Sequence, residues 1–248
     1  MAFKNIKDYA NLVTENRGWT EAFQKAVSDI ENEMGGTLYV PSGVYETCSI
    51  LLKDNMKLEL EHGAVLKFID DCQLFEVIET EFEGILGKMY MPCIYAKSSV
   101  NVSVTGGGTI DGQGMKWWKD KNQLPYSRPY LICFEDCKNV RLEGVTLINS
   151  PSWTVHPVYC DNVLIHGISI KNPADSPNTD GIDPDSSSNV RISNCMIDVG
   201  DDCIAIKSGT EDTKNKRPCE NITITNCNMI HGHGGVVIGS EMSGTVKN

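Results

Sequence analysis

An all-β solenoid of stacked parallel strands, with an α-helix capping its N-terminal end, is the fold this chain predicts. Three observations carry that expectation. A pattern of Asn, then alternating apolar and polar residues, then Gly or Asn at the sixth place, begins at Asn139, Asn162, Asn189 and Asn221. Those starts lie 23, 27 and 32 residues apart, so each copy is one unit of variable length. Strand-like runs are punctuated by Gly, Pro and Asn, while one helical pattern stands alone near the N-terminus.

That helix comes first in the chain. Apolar residues Trp19, Ala22, Phe23, Ala26, Val27, Ile30 and Met34 keep helical spacing, and Gly35-Gly36 ends the run after about four turns. Short strands follow over 37–40, 58–60 and 63–68, with a turn at Pro41-Ser42-Gly43. Residues 69–99 are less regular and predict a loop or a looser strand pair. From Asn101 the recurring pattern begins, with its first Gly at Gly106. Period-two alternation makes strands, and Gly or Asn at the sixth place permits a left-handed bend. A unit of this size cannot bury its own apolar face, so it must stack on its neighbours. An antiparallel sandwich would call for hairpin dipeptides between strands, and these are scarce. Residues 1–248 therefore read as one solenoid domain.

Composition narrows the function. With 22 Lys and Arg against 33 Asp and Glu, the net charge of −11 disfavours nucleic acid as a partner, since neutralising phosphates takes a basic face. No apolar run reaches the roughly 20 residues that cross a bilayer, so no membrane role is expected. The first residues lack a signal-peptide core, which predicts a cytoplasmic protein, or an extracellular or periplasmic one if the true start lies upstream. The ten cysteines are irregularly spaced without a CxxC pair and read as buried thiols rather than disulfides or metal ligands.

Register locates the chemistry. Counting from each initial Asn, Asp201 is the twelfth residue after Asn189 and His233 the twelfth after Asn221. Asp180 to Ser186 aligns with Asp202 to Ser208 and with Gly234 to Ser240. Asp180 is thus expected over Asp202, and Asp201 over His233, one coil or about 4.8 Å apart. Single Asp residues at solenoid bends usually bond nearby backbone. Stacked carboxylates repel and raise at least one pKa, which calls for a purpose. One such purpose is a Ca²⁺ ion held by Asp180, Asp183 and Asp185. The other is acid–base work on a glycosidic bond, where one protonated carboxyl donates and another activates water.

Asn178-Thr179-Asp180, Gly200-Asp201-Asp202 and Gly232-His233-Gly234 resemble three signature motifs of the polygalacturonases, family 28 of the glycoside hydrolases. The runs 20–26 and 40–45 resemble the same superfamily's entry, so the likeness spans nearly the whole chain. It implies a right-handed parallel β-helix and inverting hydrolysis of α-1,4 bonds in polygalacturonate or oligogalacturonides, with no metal or cofactor. By that likeness Asp201 is the general acid, Asp180 and Asp202 hold the attacking water, and His233 tunes Asp201. Separations of roughly 6.5–9.5 Å between acid and base are expected of an inverting enzyme. Asn178, His156, Lys207 and the loop cations Lys214, Lys216 and Arg217 are the candidate substrate contacts. The family's fourth motif, an Arg-x-Lys pair gripping the substrate carboxylate, is not reached before Val246-Lys247-Asn248, so the chain reads as incomplete at its C-terminus. The runs 153–157 and 239–244 resemble bacterial exo-acting members. A Ca²⁺-dependent pectate lyase and a fragment that binds uronates without turnover are the alternatives.

Overall fold

A computed structural model describes residues 2–248. Three parallel sheets run along a right-handed β-helix. The first has nine strands, among them Met56–Leu60, Ser103–Gly106, Lys138–Glu143, Asp161–His166, Ser188–Ser193 and Cys219–Thr225. The second has seven, from Gly43–Thr47 to Asn228–His231. The third begins with Ile50–Leu52, Ile94–Lys97, Ile132–Glu135 and Val155–Val158, and continues through bridges at Ile182 to Ile204–Ile206 and Val236–Ile238.

Alternation explains the interior. Leu38, Leu58, Val104, Leu142, Ile165, Ile192 and Ile224 pair in register to make one aliphatic column. Leu66, Ile110, Leu147, Ile170 and Ile197 make a second, with Tyr45 at one end and the partly buried Met229 at the other. A one-residue slip would turn either column out to water, so burial locks the register. The bends obey the pattern: Gly144, Gly167, Asn194 and Asn226 all have positive φ. The initial Asn residues do so as well, at φ between 57° and 58°. Their amides form a ladder, with Asn139 Nδ2 donating to Asn101 Oδ1 at 2.9 Å and Asn162 Nδ2 to Asn139 Oδ1 at 2.8 Å. At the next coil Asn189 turns to Asp161, and Arg191 takes over Asn162 Oδ1.

The helix spans Thr20–Asn32 and buries Ala22, Phe23, Ala26, Val27 and Ile30 on the end of the solenoid. Met34 leaves this face, because the chain turns left-handed there, at φ 61°, and its side chain is exposed. The region 69–99 contains an antiparallel hairpin, Val77–Phe82 with Ile85–Tyr90, and then the solenoid strand Ile94–Lys97. A second short helix, Gly114–Asp120, occupies an inter-strand loop that showed no helical pattern. All ten cysteines are free thiols, eight of them buried. Among the described residues no helix is long and apolar enough to cross a membrane.

Candidate active site

The third sheet carries the expected register. Val155, Ile182, Ile204 and Val236 pair in succession, which places Asp180 one coil from Asp202, and Asp201 one coil from His233. Main-chain bonds hold these pairs together: Gly181 N donates to Asp202 O at 2.9 Å and His233 N to Asp201 O at 2.9 Å. The loop ahead of Asp180 is fixed by its own polar groups. Thr179, fully buried, donates to Ser176 O at 3.0 Å, and Asn172 Nδ2 donates to Thr154 Oγ1 at 2.9 Å. Gly200 lets the next motif pass beneath this loop, since a Cβ there would lie 2.5 Å from Pro173 O.

Asp180, Asp201 and Asp202 each offer a carboxylate oxygen within 4.8 Å of the other two. That bound is on the closest oxygens, whereas the roughly 6.5–9.5 Å expected of an inverting pair separates whole carboxyl groups. Adjacent coils and adjacent residues set the spacing, so the carboxyls lie side by side on one wall rather than on opposite sides of a cleft. His233 Nδ1 stands 3.1 Å from Asp201 Oδ1, and its ring is mostly exposed.

Their environments differ. Asp180 is 4% exposed, and burial pushes its carboxyl up to about 7, with Lys207 opposing and the charges of Asp201 and Asp202 adding to the rise. Asp202 is also raised, first by burial and then by Asp201. Asp183, fully buried, is held well above the ordinary carboxylate range by burial, and neither of its oxygens has a hydrogen-bond partner.

The cation and metal expectations meet a different geometry. The hairpin lies over the outer face of the third sheet, with Phe82 stacked on Tyr130 and Trp153 at 5.7 and 5.9 Å. Tyr159 donates to Glu81 at 2.8 Å, and Thr213 to Gly84 O at 2.8 Å. His156 and Lys207 are buried beneath it. His156 packs edge-on against Tyr130 and Trp153, 3.7 Å from Asp185. Lys207 bonds Glu241 at 2.9 Å, sits 3.9 Å from Asp183 and lies 4.5 Å above the Trp153 ring. Burial lowers its pKa, but Asp183, Glu241 and Asp180 outweigh that and raise it. An ammonium therefore stands beside Asp183 where the Ca²⁺ reading put a metal, while Asp185 accepts from Ser186 and Gly209.

The loop bearing Lys214, Lys216 and Arg217 does not overhang the acids. It leaves from the far end of the strand, about 16 Å from Asp202 at 3.3 Å per residue. Lys214 and Arg217 line a groove of about 300 Å³ with Glu79, Glu135, Asp136 and Tyr159. Arg217 pairs with Asp136 at 3.6 Å and covers Tyr159 at 5.0 Å. Asn178, by contrast, lies two residues before Asp180, half-exposed, in a left-handed conformation at φ 54°. Arg128 was missed by sequence reasoning: it reaches under this motif from a loop outside the repeat and donates to Asn178 Oδ1 at 2.7 Å.

Three comparisons with known proteins bear on this arrangement. Residues 73–248 match the glycosyl hydrolases family 28. A probable polygalacturonase of Vitis vinifera is 41% identical over 243 residues, covering 92% of this chain and 50% of that protein. An endo-polygalacturonase of Pectobacterium parmentieri is 32% identical, covering 97% of this chain and 63% of the relative. The crystal structure of a hyperthermoactive exopolygalacturonase from Thermotoga maritima superposes with a TM-score of 0.89 at 34% identity, over 100% of this chain and 64% of that one. The chain thus spans about half to two thirds of the length of these relatives.

Proposed function

The chain belongs to family 28 of the glycosyl hydrolases, and from that premise we propose that it hydrolyses α-1,4 bonds between galacturonic acid units with inversion, from the chain end. The observation that carries the proposal is the meeting of Asp180, Asp201 and Asp202 within 4.8 Å, with His233 on Asp201. Exo action is supported by likeness to the Thermotoga exopolygalacturonase.

Asp201 is the proton donor. Asp180 has the raised affinity for a proton, but it is 4% exposed with Oδ1 fully buried, so it presents less of its carboxyl to a leaving oxygen than Asp201 does. Asp201 is more open, and His233 Nδ1 stands 3.1 Å from its Oδ1. As the glycosidic bond breaks, the Asp201 proton passes to the leaving oxygen. A water held by the Asp180–Asp202 pair loses its proton to that pair as its oxygen bonds the anomeric carbon. Two carboxylates gripping one water can aim it from the side, so the short gap between the acids need not enclose it. Direct attack by a carboxylate would instead retain configuration.

Trigalacturonate digestion followed by proton NMR tests the reading. A first product in the β-configuration, with monomer released from one end, supports it. Retained α-configuration overturns inversion, mixed internal cleavage overturns exo action, and unsaturated ultraviolet-absorbing products that vanish with chelator would establish a lyase. Binding without turnover would overturn the hydrolase assignment.

A further inference from the structure

We infer that Arg128 is a positioning residue that fixes which end of the Asn178 amide faces the substrate. Arg128 is buried, and its three bonds all end on neutral oxygens. Nη1 donates to Pro151 O at 2.7 Å and to Pro177 O at 2.9 Å, and Nη2 to Asn178 Oδ1 at 2.7 Å. The guanidinium thus ties a turn of one coil to the segment that leads into Asp180 in the next. Burial lowers the pKa of Arg128, and the hairpin-tip carboxylate Glu83 opposes that. A planar fork with several fixed donors can span three acceptors where an ammonium cannot.

The consequence lies in the chemistry of the amide. An asparagine can turn either its carbonyl or its NH₂ toward a neighbour. Arginine only donates, so the atom it meets must be the carbonyl oxygen. That commits the Asn178 NH₂ to the other side, and its two hydrogens find no protein acceptor among the described residues. Two residues before Asp180, the motif then gains a fixed donor. It suits an acceptor-rich ligand such as a uronate carboxylate or a sugar hydroxyl oxygen. Without Arg128 the amide would be free to present its carbonyl, a repulsive partner for a uronate. Tying the Pro177 carbonyl also holds Asn178 in its left-handed conformation.

The kinetic part of the test rests on the hydrolase reading, and the spectroscopic part does not. Arg128→Lys, Asn178→Ala and the double variant are compared with the parent chain on trigalacturonate. Each single variant is expected to raise KM about tenfold or more, the scale of one lost charge-assisted contact, with kcat within about threefold. The double variant should add less than a further twofold, because both changes remove one donor. In ¹⁵N spectra without substrate, the Asn178 side-chain amide pair, identified by its loss in Asn178→Ala, should shift or broaden in Arg128→Lys. Additive KM losses, or a loss confined to kcat, with an unchanged amide pair would overturn the inference and leave Arg128 a structural tie. If the parent does not turn over the substrate, the hydrolase reading fails, and the amide signal alone decides the role of Arg128.

Discussion

The outer face of the third sheet ends in two differently built places. Where its strands begin, Asp180, Asp201 and Asp202 crowd together beside an exposed histidine, and among the described residues none of the three forms a salt bridge to a lysine or arginine. Where its strands end, Lys207 is matched by Glu241 and Asp183, Arg217 by Asp136, and Tyr159 by Glu81 under the hairpin. The first end carries charge that the fold does not neutralise; the second pairs its charges and buries several of them. Uncompensated acids cost stability and make a reactive surface, whereas matched charges mainly hold a covering hairpin in place.

The sharpest way to break this contrast is Asp201→Asn, which should lower kcat on trigalacturonate by roughly 10³-fold, within the range of general acid catalysis, while leaving the fold intact. Unchanged turnover would remove Asp201 from the mechanism. At the other end, Lys207→Met should reduce the unfolding free energy by about 3–5 kcal/mol in urea titrations at pH 8, because Glu241 and the buried Asp183 are left without their cation. The loss should be no larger at pH 4, where Asp183 is neutral because burial holds its carboxyl well above the ordinary range. No loss at either pH would mean that Lys207 is not the balancing charge.

Asp180→Asn should have the opposite sign. A carboxyl raised from 3.8 to about 7 favours the folded state below its unfolded value, and that contribution disappears as pH climbs through the folded one. Above pH 7 the variant should therefore be more stable than the parent, by at most about 4 kcal/mol, and equal to it near pH 4. In the parent, kcat/KM should carry an ionisation near pH 7 that Asp180→Asn removes, since Asp180 must lose its proton before it can accept one. A parent profile flat across that range would assign the base to Asp202 alone. The smallest effect belongs to the loop: Lys214→Ala with Lys216→Ala should change KM by less than about twofold and stability by less than about 0.5 kcal/mol. A tenfold rise in KM would bring that loop over the acids.

The same contrast explains what could be read from the residues alone. Asp180, Asp202 and Gly234 sit at equivalent places in a repeat whose phase is locked by the buried columns, so counting from Asn189 and Asn221 paired Asp202 with Gly234, and aligning the run 180–186 with 202–208 added Asp180. His156 and Lys207 share that register, and their height along the sheet was equally legible. Their burial was not, because it comes from the hairpin 77–90, which belongs to no repeat and covers the sheet through Phe82 and Glu81. The path of the 208–217 loop depends on contacts with Gly84 and Tyr159 that leave no periodic trace. Arg128 escaped for the same reason: a lone arginine before Pro129 has no phase to count from. The positive φ of the initial Asn residues was present in the pattern but was ascribed to the sixth place alone.

The amide ladder at those Asn positions has a direction. Asn101 donates to Asn55, Asn139 to Asn101, Asn162 to Asn139 and Asn221 to Asn189, always toward the lower-numbered coil. Each new coil thus arrives with its donor and finds an acceptor waiting on the coil before it. The solenoid carries a chemical arrow along its axis, and assembly that follows the arrow never has to place an amide without a template.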